Sequence, residues 1–216
     1  MNKNEQFVIT INRELGSGGR TVGEKLAAKL GVAFYDKALV KALQEKYHLT
    51  VEEIETLKGR KHNWWSDFSR VVSLGETVRA SYYKVEMGKE PKLVTTESIF
   101  KVEQEILKGI ADSGSCVITG RSGFFVLRNY PNHLRIYIHA SKETRIQRVM
   151  KKQNVSHEEA EKIISKIDKM RDNYVTRYTG QSRYNVRNYD LTINMDHMTE
   201  DDAVKVIMDY MDSVQE

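Results

Sequence analysis

Two spacings of apolar residues alternate along this chain. Short, β-branched runs recur at Phe7-Val8-Ile9-Thr10-Ile11-Asn12, Val32-Ala33-Phe34-Tyr35, Cys116-Val117-Ile118-Thr119, Leu134 to His139 and Leu191-Thr192-Ile193-Asn194. Runs of this length and composition predict strands. Between them the spacing becomes helical. Val22, Leu26 and Leu30 fall on one side of a helix from Thr21 to Leu30, and Ile99, Val102, Ile106 and Ile110 on one face of a helix from Glu97 to Ala111. Capping residues set further helix starts. Asp36 precedes a helix over Lys37 to Tyr47, and Thr50-x-x-Glu53 opens a short one. Ser141 opens a helix through Gln153, Ser156-x-x-Glu159 a long one to about Tyr178, and Thr199-x-x-Asp202 the last.

Five strands alternating with helices predict βαβ units. The expected fold is α/β: a three-layer α/β/α arrangement around a mostly parallel five-stranded sheet. Only Pro91 and Pro131 interrupt the chain, and no Gly/Ser linker or repeat divides it, so one domain is expected over residues 1–216. Residues 62–94 follow neither spacing. Trp64, Trp65, Phe68, Tyr82 and Tyr83 stand there among charges, and a helical insert within about residues 50–94 is the expectation. The paired tryptophans fit helix packing, a homodimer contact or the floor of a base pocket.

Composition narrows the setting. Of 216 residues, 40% are hydrophobic and 30% charged, which is enough apolar matter for a packed core. A net charge of +4 is too small by itself to argue for nucleic acid. Cys116 is the sole cysteine, so neither an intrachain disulfide nor a cysteine-built zinc site can form. No run approaches the roughly 18 apolar residues of a membrane span, and residues 1–6 are polar, so a cytoplasmic protein is expected.

Arg13-Glu14-Leu15-Gly16-Ser17-Gly18-Gly19-Arg20-Thr21 lies between the first strand and the first helix. Glycines in that context let several backbone N–H groups turn inward onto a phosphate, over a helix N-terminus that favours negative charge. Arg13, Gly16, Ser17, Gly18, Gly19, Arg20 and Thr21 are therefore the candidate phosphate-binding residues, with Thr21 offering a hydroxyl to Mg²⁺. Against the pattern G-x-x-x-x-G-K-[ST], Arg20 stands where Lys belongs and Glu14 where the first Gly belongs. A second cluster runs from Asn173 to Tyr189 without one Asp or Glu; it carries Arg177, Arg183 and Arg187 with four tyrosines, and Arg171 just precedes it. Three readings stay open: a catalytic lid over about residues 171–189 whose arginines neutralise a transferring phosphoryl group, a single-strand nucleic-acid groove, or a loop packed by its tyrosines. Arg145 and Arg148 face the same pocket or form a charged helix face.

The segment Ile9 to Ala27 with Phe34-Tyr35-Asp36-Lys37 resembles the cytidylate kinase-like family, P-loop relatives of nucleoside monophosphate kinases. Thr119-Gly120-Arg121-Ser122, His139 to Arg145, Tyr178-Thr179-Gly180 and Asn188-Tyr189-Asp190-Leu191 resemble its later motifs, so the likeness spans nearly the whole chain. The resemblance implies a P-loop NTPase fold and phosphoryl transfer from ATP, with Mg²⁺, to CMP, dCMP or a related small acceptor. It implies Arg20, Arg121, Arg171 and Arg177 as catalytic cations, and Asp36 and Arg121 at the acceptor. Cytidylate kinases carry Gly-Lys where this chain has Gly19-Arg20, and an acidic residue at the place of Thr119. A nucleotide-binding regulator without turnover is the competing expectation.

Overall fold

A computed structural model describes residues 1–36, 96–120 and 122–214. The expected helix over 37–47, the capping box at Thr50, the insert within 50–94 and Arg121 lie outside the described residues. By internal contacts the chain divides into two units, one formed by Met1–Phe34 with Ser115–Glu216 and the other by Tyr35–Gly114.

In chain order the elements are β1 (Val8–Arg13), α1 (Gly19–Leu30), β2 (Ala33–Tyr35), α2 (Thr96–Ser113), β3 (Cys116–Thr119), α3 (Gly123–Val126), β4 (His133–His139), α4 (Lys142–Gln153), α5 (His157–Thr179), a 3₁₀ turn (Val186–Asn188), β5 (Leu191–Asn194) and α6 (Glu200–Ser213). The strands form one five-stranded sheet in the order β2-β3-β1-β4-β5. Each pairing with a described register is parallel: Ile9 lies opposite Val117 and Leu134, and Ile138 opposite Ile193. β1 sits in the middle, so the loop that follows it opens at the centre of the sheet's carboxyl edge. Ligands of open α/β sheets bind at that edge.

Alternation along the strands assigns the faces. Phe7, Ile9, Ile11, Leu134, Ile136, Ile138 and Ile193 all join one core with Val22, Leu26 and Ala27 of α1 and Ala203, Val204, Ile207 and Met211 of α6. The opposite-facing Val8 and Ile118 are just as buried, which is the signature of a sheet covered on both sides. On that second face Tyr137 packs with Phe124 of α3, Val175 of α5 and Tyr189. The caps fall where the sequence puts them. Ser141 Oγ accepts from Thr144 N–H, Ser156 Oγ from Glu159 N–H, and Thr199 and Asp202 complete a reciprocal capping box. Within the second unit, α2 buries Glu103, Ile106, Leu107 and Ile110. Two elements escape the pattern, α3 and the 3₁₀ turn, because four and three residues are too few to display a helical period.

One polar side chain, His133 of β4, bonds both to β1 and to the segment after α3. His133 Nδ1 donates to the Leu127 carbonyl at 2.9 Å, and its Nε2 accepts from the Thr10 hydroxyl at 2.8 Å. Burial pushes its pKa down to about 4 from an ordinary 6.5. The native state therefore refuses a proton that the unfolded chain binds once pH drops below about 6.5. Stability should be level above that value and fall as pH drops toward 4, by on the order of 2–3 kcal/mol from this group. Urea titrations from pH 7.5 to 4 check the slope, and His133→Gln should flatten that part of it.

Candidate functional site

The loop after β1 is held from outside by side chains. Leu15 N–H donates to Asp168 Oδ1 at 3.0 Å, and Asp168 Oδ2 takes Nη1 of Arg145. Arg145 Nε lies 3.4 Å from Glu14 Oε2, the same oxygen that accepts from Ala140 N–H at 3.4 Å. The acid at position 14, out of place in a phosphate loop by sequence, is thus engaged with α4 and the end of β4. Glu14 N–H itself donates to the Ile138 carbonyl at 3.2 Å. The Arg13 carbonyl accepts from Arg171 Nη1 at 3.2 Å and also from Arg183 Nη2. Leu15 adds an apolar anchor against Ile146, Val149, Ala160 and Ile164 of α4 and α5.

With the outer side secured, the inner side is open. Ser17 is fully buried and turns back on the loop: its hydroxyl donates to the Glu14 carbonyl at 3.0 Å, its N–H meets the same oxygen at 3.4 Å, and its carbonyl accepts from Arg148 Nη1 at 2.8 Å. No acceptor among the described residues takes the N–H groups of Gly16, Gly18, Gly19 or Thr21, and the first bond of α1 is Val22 N–H to Gly18 carbonyl at 3.1 Å. Gly16 has φ +82°, and a Cβ there would stand 2.7 Å from the Arg145 carbonyl oxygen, so only glycine fits between loop and α4. The amides face a cleft of about 310 Å³ lined by the loop, Arg148, Val149, Lys152 and Gln153 of α4, Arg171 of α5 and Glu200 of α6. Unspent N–H groups at a helix N-terminus, with cations around them, make an anion site.

The sequence candidates divide. Gly16, Gly18, Gly19, Arg20, Thr21 and Arg171 line the cleft, as does Arg13. Arg13 also extends away from it, since a side chain at Gly120 would collide with its guanidinium at the end of β3. Arg20 bonds Glu24 at 3.2 Å and lies over the Phe34 ring at 5.9 Å. Ser17 faces the loop's own carbonyl instead of the cleft. Arg177 is exposed on the last turn of α5 over the Tyr178 ring and does not line the cleft. Asp36 is buried in the second unit. Thr21 is exposed, and its hydroxyl makes no hydrogen bond among the described residues, so it can ligate a divalent ion alongside phosphate oxygens and water. Among the described residues no three His, Cys, Asp or Glu gather into a metal-binding group.

The acid-free segment is partly a packed element. Arg183 is fully buried, and its Nε and Nη1 have no hydrogen-bond partner among the described residues. Tyr189 donates to the Arg183 carbonyl at 2.7 Å and accepts from Asn12 Nδ2 at 2.6 Å; burial raises its pKa to about 12. Arg171 is held below the ordinary arginine value, first by burial and then by the neighbouring Arg183 charge. Of the two alternatives that the sequence left for Arg148, pocket or charged face, the structure places it at the cleft, whereas sequence reasoning missed Asp168, Lys152 and Glu200. The signals were present for some of them: Ala160, Ile164 and Asp168 recur every four residues, which puts a carboxylate on the buried stripe of α5, and Arg148 and Lys152 share one face of α4.

A parallel five-stranded sheet with this loop at the end of its central strand is a P-loop kinase fold. Residues 8–197 match the cytidylate kinase-like family, and the chain belongs to that family. A cytidylate kinase from Pyrobaculum neutrophilum is 29% identical over 118 residues; the match takes in 54% of this chain and 63% of that protein, less than two thirds of its length. In structure the chain is similar to an uncharacterized protein from Eubacterium ventriosum, with TM-score 0.70, 24% identity, and coverage of 96% of this chain and 99% of that one. It is also similar to shikimate kinase from Bacteroides thetaiotaomicron, with TM-score 0.52, 15% identity and coverage of 96% and 99%. At these identities the structural likeness speaks for the fold. No helix among the described residues is long and apolar enough to cross a membrane.

Asp168→Ala should remove the acceptor for Leu15 N–H and leave Arg145 short of a counter-charge. Breaking a buried pair from one side costs about 3–5 kcal/mol, so the urea midpoint should drop accordingly, with Asp168→Asn intermediate.

Proposed function

We propose that this protein is an ATP-dependent phosphotransferase that moves the γ-phosphoryl group to a nucleoside monophosphate such as CMP or dCMP, or to a related small acceptor. The observation that carries the reading is the set of unspent amides at Gly16, Gly18, Gly19 and Thr21, facing a cleft bordered by Arg20, Arg148, Lys152 and Arg171. A triphosphate tail satisfies those donors, and the surrounding cations offset its charge. The Thr21 hydroxyl would help to hold Mg²⁺, which would supply neutralisation of phosphate charge. Arg171, at the cleft wall and braced by the Arg13 carbonyl, stabilises charge on the group in flight. Arg177 and the exposed part of residues 171–189 act as the lid, with Arg177 brought in when that part closes. Asp36 and Arg121 are the residues proposed to recognise the acceptor. Catalysis then rests on orientation and electrostatics without a covalent intermediate.

The relatives support phosphoryl transfer and divide on the acceptor: one carries the name cytidylate kinase and another the name shikimate kinase. Purified protein with ATP, Mg²⁺ and a panel of CMP, dCMP, UMP, AMP and shikimate should release ADP with at least one of them, CMP or dCMP foremost. Arg171→Ala should lower kcat by about 10³-fold, the scale of a well-placed arginine. A second reading, a nucleotide-binding regulator, draws on one contact: Arg20, in the place of the usual lysine, is engaged with Glu24. It requires a nucleotide-dependent rise in melting temperature with no ADP release from any acceptor.

A further inference from the structure

Glu200 borders the cleft from the first turn of α6. The first turn of α6 carries three acids, Glu200, Asp201 and Asp202. Two of them support the structure, since Asp202 accepts from Thr199 in the capping box and Asp201 pairs with Lys25 Nζ at 2.7 Å. Glu200 has no hydrogen bond and no ion pair among the described residues, yet it is half-buried at the cleft wall. Its Oε1 lies 3.1 Å from where a Cβ on Gly18 would be, and Arg148 Nη1 approaches that same point at 3.1 Å. The other acid of the cleft, Glu14, is already occupied by Arg145 and Ala140.

An unengaged carboxylate beside a phosphate loop opposes a bare polyphosphate by like-charge repulsion. It suits a ligand that brings hydrogen-bond donors along with its phosphates. Nucleoside triphosphates do, through the ribose hydroxyls and the N–H groups of the base. We infer that Glu200 is a specificity-determining residue of the donor pocket, accepting hydrogen bonds from the nucleoside and so separating nucleotides from other polyphosphates. The inference rests on the donor-site reading above and adds the residue that reads what the phosphates are attached to. Arg148 and Lys152 of α4 then grip charge, and Glu200 accepts from the neutral part.

The test is calorimetric binding of Mg-ATP, Mg-2′,3′-dideoxy-ATP and Mg-tripolyphosphate to the whole protein and to Glu200→Gln and Glu200→Asp. Both variants should keep the wild-type fold by circular dichroism; the Asp variant retains the charge at the helix N-terminus but withdraws it by one methylene. ATP should bind about tenfold more weakly to both, as expected for loss of a charge-assisted hydrogen bond. Tripolyphosphate should bind Glu200→Gln as well as the wild type or more tightly. If dideoxy-ATP is insensitive to the Gln change, the ribose is the contact; if it weakens like ATP, the base is. Equal factors for ATP and tripolyphosphate, or no change for ATP, overturn the assignment of Glu200 while leaving the donor site standing. Wild-type protein that binds neither ATP nor tripolyphosphate overturns the donor-site reading, and the assignment falls with it.

Discussion

The arrangement of the site depends on the grip that side chains exert on three consecutive backbone residues, Arg13, Glu14 and Leu15. Asp168 takes the Leu15 N–H, Arg171 and Arg183 take the Arg13 carbonyl, and Arg145 joins Glu14 to Asp168. Backbone groups removed from water must find partners, and here those on the loop's outer side are satisfied by residues from α4, α5 and the segment after α5. That leaves the inner amides of Gly16, Gly18, Gly19 and Thr21 with no acceptor among the described residues. Side-chain support thus replaces the tight glycine turn expected at position 14, and it explains why a glutamate can stand there.

This grip joins the loop to α5. The arginines of residues 171–189 divide by environment: Arg171 and Arg183 reach inward to Arg13, whereas Arg177 and Arg187 are exposed. Tyr137, Tyr184 and Tyr189 pack around the inner part, with Tyr137 and Tyr189 ring centroids 5.0 Å apart. The tyrosine-packed reading therefore accounts for the inner half of the segment. The outer half presents its cations to solvent. Two guanidinium groups meet on one neutral carbonyl, and the Arg183 charge adds to burial in holding Arg171 below the ordinary arginine value.

Much of the fold could be read from the chain because strands of an α/β sheet are short apolar runs and each helix carries a local cap. The Ser141, Ser156 and Thr199 caps and the strands Cys116–Thr119 and Leu191–Asn194 appear where the spacing puts them. The glycine loop was equally legible, since its chemistry lies in contiguous residues. Glu14 and Ser17 were not: one resembled a misplaced charge and the other a ligand, and both proved to serve the loop itself.

The sequence by itself determined the alternation of strands and long helices, the covered sheet and the position of the glycine loop, because periodicity, capping and glycine conformations are properties of neighbours along the chain. Only the tertiary structure decided which charges meet. Glu14 and Arg145 are separated by 131 positions in sequence, Leu15 and Asp168 by 153, and Gly18 and Glu200 by 182, yet each pair is adjacent in space. Burial, hydrogen-bond satisfaction and cleft walls arise from such distant pairings, and no local pattern encodes them.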